Sequence, residues 1–112
     1  MQASSITSTE PGQVVVSFEF SRHVGPRFVH GGLRLRFDLS RPYSFESIAR
    51  WPSADNYEAQ IRRAVEAVLV ERLGSLTRCQ VTLEDIVWDP VNSCEVGFAR
   101  AASAAAEMAF RV

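Results

Sequence analysis

The run Val81-Thr-Leu-Glu-Asp-Ile-Val-Trp-Asp-Pro-Val-Asn-Ser-Cys-Glu-Val-Gly-Phe-Ala-Arg-Ala-Ala-Ser-Ala-Ala-Ala-Glu-Met-Ala-Phe110 decides the fold. Its first part alternates as a strand: Cys79, Val81 and Leu83 share one face. Ile86 and Trp88 have the opposite parity, so one extra residue near Glu84-Asp85 is needed to keep all five on the same side, and a bulge is expected there. Asn92 and Glu95 have the spacing of a capping box, in which side chains satisfy free amide hydrogens at a helix start. An alanine-rich helix is expected over roughly 93–110.

Working backwards, Asp55 and Glu58 suggest a second capping box. They open a helix that ends near Leu73 before Gly74, a common left-handed stop residue. Tyr57, Ile61, Ala64, Val65, Val68 and Leu69 form its apolar face, and Glu58, Arg62 and Glu66 are spaced for mutual support on the other. Two alternating segments precede it. Val14, Val16, Phe18 and Phe20 line one face of a strand, and Leu33, Leu35, Phe37 and Leu39 line one face of another. Residues 21–32, rich in Gly and Pro, are expected as a long hairpin loop between them. Ser40 to Pro52 is a connection with room for a short strand or turn. Residues 1–12, Ser/Thr-rich and ending Pro11-Gly12, are expected as a disordered tail, with residues 13–112 as the single domain.

The order β-β-α-β-α predicts an α+β fold: an antiparallel or mixed sheet with two helices packed on one face. At 112 residues, 46% hydrophobic and 22% charged, the chain has the composition of one globular domain. No apolar run is long enough to cross a bilayer, and the start lacks a basic, then apolar, leader pattern. A cytoplasmic location without membrane contact is therefore expected. Cys79 and Cys94 read as a reduced pair, and His23 and His30 lack the partners of a zinc site. The inventory offers no catalytic residues, metal site or cofactor site, and the protein is not expected to be an enzyme.

All 12 basic residues are arginine, and the net charge is −1. Residues 20–50 hold six arginines against Asp38 and Glu46, whereas residues 51–112 hold six against nine acids. Any anion-facing surface should therefore come from the first half. Arg22, His23, Arg27 and His30 lie in a loop without an acid, suited either to RNA phosphates and bases or simply to solvent. The last helix is apolar on nearly every side, which calls for burial all round. Phe98, Ala101, Ala105 and Met108, off its main stripe, are the expected contacts of a homodimer.

From Gln13 onward the chain resembles domain IV of translation elongation factor G. Val91-Asn-Ser-Cys-Glu-Val-Gly-Phe-Ala-Arg-Ala-Ala-Ser-Ala-Ala-Ala-Glu-Met108 is similar to the family's Val-Asp-Ser-Ser-Glu-x-Ala-Phe-Lys-x-Ala-Ala-Ser run. Gly31-Gly-Leu-Arg-Leu-Arg-Phe-Asp38 looks like its glycine-led hydrophobic strand. Tyr43-Ser-Phe45, Ile48, Pro52 and Tyr57 stand where it leads into a first helix, and Gln80-Val-Thr-Leu83 resembles its strand before the second tip loop. The resemblance implies a left-handed β-α-β crossover and a non-catalytic arm that touches the ribosome, its rRNA or tRNA, through two tip loops. Carried over by position, these are residues 21–32 and 87–94, with Arg22, His23, Arg27, His30, Trp88, Asp89 and Asn92 as RNA-contacting groups. Asp89 and Pro90 depart from the family's tip histidine and aspartate, and His23-Val-Gly-Pro-Arg-Phe28 is bulkier than its glycine-rich loop. There is no GxxxxGK[ST] nucleotide loop, so a free-standing arm without a GTPase is expected. The other expectation is a protein-interaction or homo-oligomerisation module that keeps the fold without binding the ribosome.

Overall fold

The structure, a computed structural model, describes residues 2–7, 12–52, 56–76 and 78–110. Strands β1 (Gln2–Thr7), β2 (Gln13–Val24), β3 (Arg27–Pro42), β4 (Ser44–Ser47) and β5 (Arg78–Val87) form one sheet in the order β1-β2-β3-β5-β4. Helix α1 (Glu58–Leu73) lies between β4 and β5 in the chain, and α2 (Glu95–Ala109) follows β5. The fold is α+β, with both helices on one face of a mixed sheet: β4 and β5 run parallel, and the other pairs are antiparallel.

The inner face follows the alternation of the sequence. Val16, Phe18 and Phe20 of β2 are buried beside Leu33, Leu35 and Phe37 of β3 and Cys79, Val81 and Leu83 of β5. The expected bulge is present. Leu35 pairs with Leu83 but Arg34 with Asp85, which leaves Glu84 as the extra residue and returns Ile86 to the inner side opposite Leu33. Glu84 sits on the outer face, within 2.7 Å of Arg36 and 3.6 Å of Arg34.

Three expectations about the strands need correction. Gln2–Thr7 is not a frayed tail; it pairs in register with β2, from Gln2 opposite Phe20 to Thr7 opposite Val15. Residues 21–32 are not a long loop. Pairing continues to Val24 opposite Arg27 and leaves only Gly25 and Pro26 as a turn. The φ of +65° at Gly25 is one a hairpin turn needs at its first position and glycine adopts without strain, and proline then fixes the second. Leu39 is exposed at 40%, because the β3–β5 register breaks between Asp38 and Pro42. Asp38 is buried in its place and accepts hydrogen bonds from the Ser40 amide (2.9 Å), the Ser40 hydroxyl and the Gln13 amide group (3.1 Å).

The capping box expected at α2 is not formed, and the one expected at α1 turns on Asp55. The N-cap of α1 is Tyr57, without a side-chain cap bond, and Asp55 lies outside the described residues. The Glu58 carboxylate instead accepts from the Ser47 hydroxyl (2.6 Å) and Trp51 Nε1–H (2.8 Å), tying α1 to the β4 connection. Gly74 ends α1 as expected, at φ +82° with its N–H donating to the Val70 carbonyl at 2.8 Å. The N-cap of α2 is Cys94, also without a side-chain bond.

Helix α2 is buried by its own chain. Phe98, Ala101, Ala102, Ala105 and Ala106 are all fully buried. The sheet covers one side and α1 another, and an ion pair between Arg72 and Glu107 joins the two helices. The dimer contacts expected at Phe98, Ala101 and Ala105 are therefore core residues, and Met108 is half-buried against the same core. Small side chains let two neighbouring layers approach a single helix, so the breadth of its apolar face needs no second subunit. Among the described residues, no helix is long and apolar enough to cross a membrane, and both cysteines are free.

Candidate nucleic-acid interface

The β2–β3 hairpin outruns its neighbours. Among the described residues, pairing with β1 reaches Phe20, and pairing with β5 begins only at Gly32. Beyond those points the ladder continues through Ser21–His30, and past His30 it runs alone through Arg22–Val29 and His23–Phe28. The end of the hairpin is thus a two-stranded ribbon, with Arg22, His23, Gly25, Pro26 and Arg27 exposed around its turn. The His23 ring meets Phe28 edge-on at 5.0 Å, bracing the ribbon across its strands.

Charge at this tip is unopposed among the described residues. Arg34, Arg36, Arg41, Arg62 and Arg72 each have a carboxylate within ion-pair distance. Neither Arg22 nor Arg27 has one among the described residues. A guanidinium without an internal partner keeps its donors for an external anion, and phosphate matches its fork.

His30, expected with the tip, is instead 5% exposed and internally bonded. Its Nε2 lies 2.6 Å from Glu19 Oε2 and its Nδ1 2.9 Å from Ser93 Oγ. A carboxylate only accepts, so Nε2–H donates to Glu19, and in the neutral ring Nδ1 accepts the Ser93 hydroxyl proton. Ser93 Oγ in turn accepts the Asp89 N–H at 2.7 Å. The order Ser-His-Glu is that of a nucleophilic triad, but the serine oxygen is already occupied and the ring is sealed from solvent. Geometry makes this a tie rather than a reaction centre.

That tie joins the two expected tip loops. His30 N–H donates to the Asn92 carbonyl at 3.0 Å, and Cys94 N–H to the His30 carbonyl at 3.2 Å. Residues 92–94 thereby take the place beside β3 that β5 vacates at Val87. Local pattern cannot reveal this apposition, because outward parity on β3 marks His30 as solvent-facing.

The second loop also differs from expectation in its residue roles. Asp89 Oδ1 accepts the Val91 N–H at 2.9 Å and the Asn92 N–H at 3.2 Å, and Oδ2 accepts the Asn92 side-chain amide at 3.1 Å. An aspartate that caps amides two and three residues ahead is a local turn device. The bond from the Val91 amide, then that from Asn92, holds its carboxyl below the usual carboxylate range. Trp88 stacks on Tyr57 (centroids 5.9 Å, planes at 12°) and Phe98 (5.7 Å, 25°), with Trp51 edge-on at 5.9 Å. Trp88, Asp89 and Asn92 thus build the loop and anchor it to the core. Of the residues expected to contact RNA, Arg22, His23 and Arg27 are left free to do so.

No family model matches the chain, and no curated protein matches it. Among solved structures, a crystal structure of a protein from Thermus thermophilus is similar over 96% of this chain, with a TM-score of 0.74 at 18% identity. That likeness is one of fold, and the chain spans 16% of the length of the Thermus protein.

Proposed function

We propose that the protein is a non-catalytic, elongation factor G domain IV-like module that binds structured RNA, with the ribosome as its target, through the projecting β2–β3 ribbon. The observation that carries this reading is the pair Arg22 and Arg27: exposed, unopposed by any carboxylate among the described residues, and displayed beyond the flanking strands. Phosphate contacts supply most of the affinity in such binding, and a narrow basic ribbon can enter a groove or cleft that a flat surface cannot. A cytoplasmic location goes with this role.

Co-sedimentation with ribosomes at low and moderate salt tests the reading. The expected result is a salt-sensitive ribosome-bound fraction that falls when Arg22 and Arg27 are changed together to Ala. No bound fraction at low salt overturns the function, and binding indifferent to both arginines overturns the ribbon as its surface. Against the homodimer alternative, three of its four expected contacts, Phe98, Ala101 and Ala105, are fully buried within one chain, and Met108 is half-buried.

A further inference from the structure

A groove of about 530 Å³ opens on the helix side of the sheet, between β2 and α2. Phe18 and Phe20 form its floor, Ala99, Ser103 and Ala104 its wall, and Arg22 and Arg100 complete the lining. Arg22 belongs to two surfaces at once. Its position on β2 shares the inner parity of Phe18 and Phe20, and it also stands at the root of the projecting ribbon. Groove and ribbon are therefore continuous through one residue.

Arg100 is the second unopposed cation of this region. Its guanidinium carbon lies 5.8 Å above the centre of the Phe20 ring, and no carboxylate among the described residues pairs with it. Stacking on an aromatic ring fixes the plane of the guanidinium and leaves its edge donors directed elsewhere, so less side-chain freedom is lost on capturing an anion. Along α2 the other charged groups are Glu95 near its start and Glu107, which is paired with Arg72. The middle of the helix thus presents one cation in a wall of small side chains.

We infer that this groove carries a single strand of the bound RNA away from the hairpin tip, with a backbone phosphate held between Arg22 and Arg100 and the adjoining sugar against Ala99, Ser103 and Ala104. The occupant follows from complementarity. Two cations without carboxylate partners among the described residues can hold an anion, and the apolar, small-residue wall suits the sugar face beside each phosphate. The repeating charge of a strand also allows one molecule to satisfy the ribbon and the groove together. This inference rests on the proposed RNA-binding function.

Fluorescence anisotropy with a labelled single-stranded oligouridylate tests it, on the full chain, with thermal melting to check that each variant folds. Arg100→Ala is expected to weaken binding about tenfold, the loss of one charged hydrogen-bonding contact, and to reduce the log–log salt slope by about 0.7. Arg100→Lys, which keeps the charge, recovers part of that loss. Arg63→Ala, which removes an exposed arginine on α1, leaves affinity unchanged.

If Arg100→Ala binds as the native chain does while Arg22→Ala and Arg27→Ala weaken, the groove assignment is overturned and the ribbon reading stands. Ribosome binding without any affinity for oligouridylate also removes the groove strand alone. Absence of both kinds of binding removes the function and the groove together. Displacement of the oligonucleotide by oligoglutamate at equal charge would replace RNA with an acidic peptide as the occupant.

Discussion

Gly31 of β3 and Gly97 of α2 are in backbone contact. A β-carbon on Gly97 would lie 2.0 Å from the His30 carbonyl oxygen, and one on Gly31 would lie 2.4 Å from the Gly97 carbonyl carbon. The first turn of α2 therefore rests directly on the strand, and this close approach seats the helix over β2 and β3. The atoms that would collide are main chain, which cannot rotate away as a side chain can.

Gly97→Ala is accordingly expected to destabilise by about 3 kcal/mol or more, at or beyond the upper end of overpacking costs. Gly31→Ala should act in the same direction. Gly74→Ala, where the left-handed φ of +82° is strained but nothing stands within 4 Å, should cost only about 1 kcal/mol. Urea denaturation of the three variants checks the order. Equal costs at Gly97 and Gly74 would contradict the backbone contact.

The bond network around His30 predicts strong coupling between the hairpin and the second loop. His30→Ala takes one partner from Ser93 and leaves the part-exposed Glu19 to solvent, and should cost about 1–2 kcal/mol. A double-mutant cycle of His30→Ala with Ser93→Ala should return an interaction of about 1 kcal/mol. Additive losses would mean that the two side chains do not act together.

Asp89 predicts a pH dependence of definite sign. Its folded carboxyl titrates below the ordinary value of 3.8 because the Val91 and Asn92 groups donate to the charged form. A carboxyl depressed on folding contributes stability that is fully present above its unfolded value and is lost as pH falls through the lower folded value. Asp89→Asn keeps a side-chain acceptor but lacks the charge. It should be less stable than the native chain at neutral pH, by a margin that shrinks as the pH drops below the unfolded carboxyl value. A margin constant across that acid range would show that the charge contributes nothing.

The cysteines predict a reactivity contrast. Burial pushes the Cys79 thiol up to about 11, so almost no thiolate exists at neutral pH, and the side chain is 1% exposed. Cys94 is only half-buried at the start of α2. A chromogenic disulfide reagent should label Cys94 in the native protein and Cys79 only at the rate of unfolding. Fast labelling of both would place Cys79 outside the core.

Local pattern was informative wherever one face of an element meets the core. Alternation gave the inner faces of β2, β3 and β5, the parity change at Ile86 gave the bulge at Glu84, and Gly74 gave the end of α1. Each is a case in which burial imposes a period on a single segment. The same reasoning missed β1, because the Ser/Thr-rich Gln2–Thr7 has no apolar alternation and is held in line by main-chain bonds to β2. It also overestimated the capping box at the start of α2. Glu58 bonds Ser47 and Trp51, and Asn92 bonds Asp89, partners that no spacing rule within a helix start identifies.

For the candidate interface, the sequence by itself determined where unopposed positive charge would lie, since the stretch from Ser21 to Gly32 holds arginines without an acid. Only the tertiary structure decided which groups remain free. Segment 92–94 closes over His30, an aromatic stack takes in Trp88, and Asp89 commits its oxygens to its own loop. The apolar breadth of α2 was likewise written in the sequence, but its meaning depended on what surrounds it. A periodic pattern reports how much of an element must leave water; only the packed chain specifies whether its own layers or another molecule do the covering.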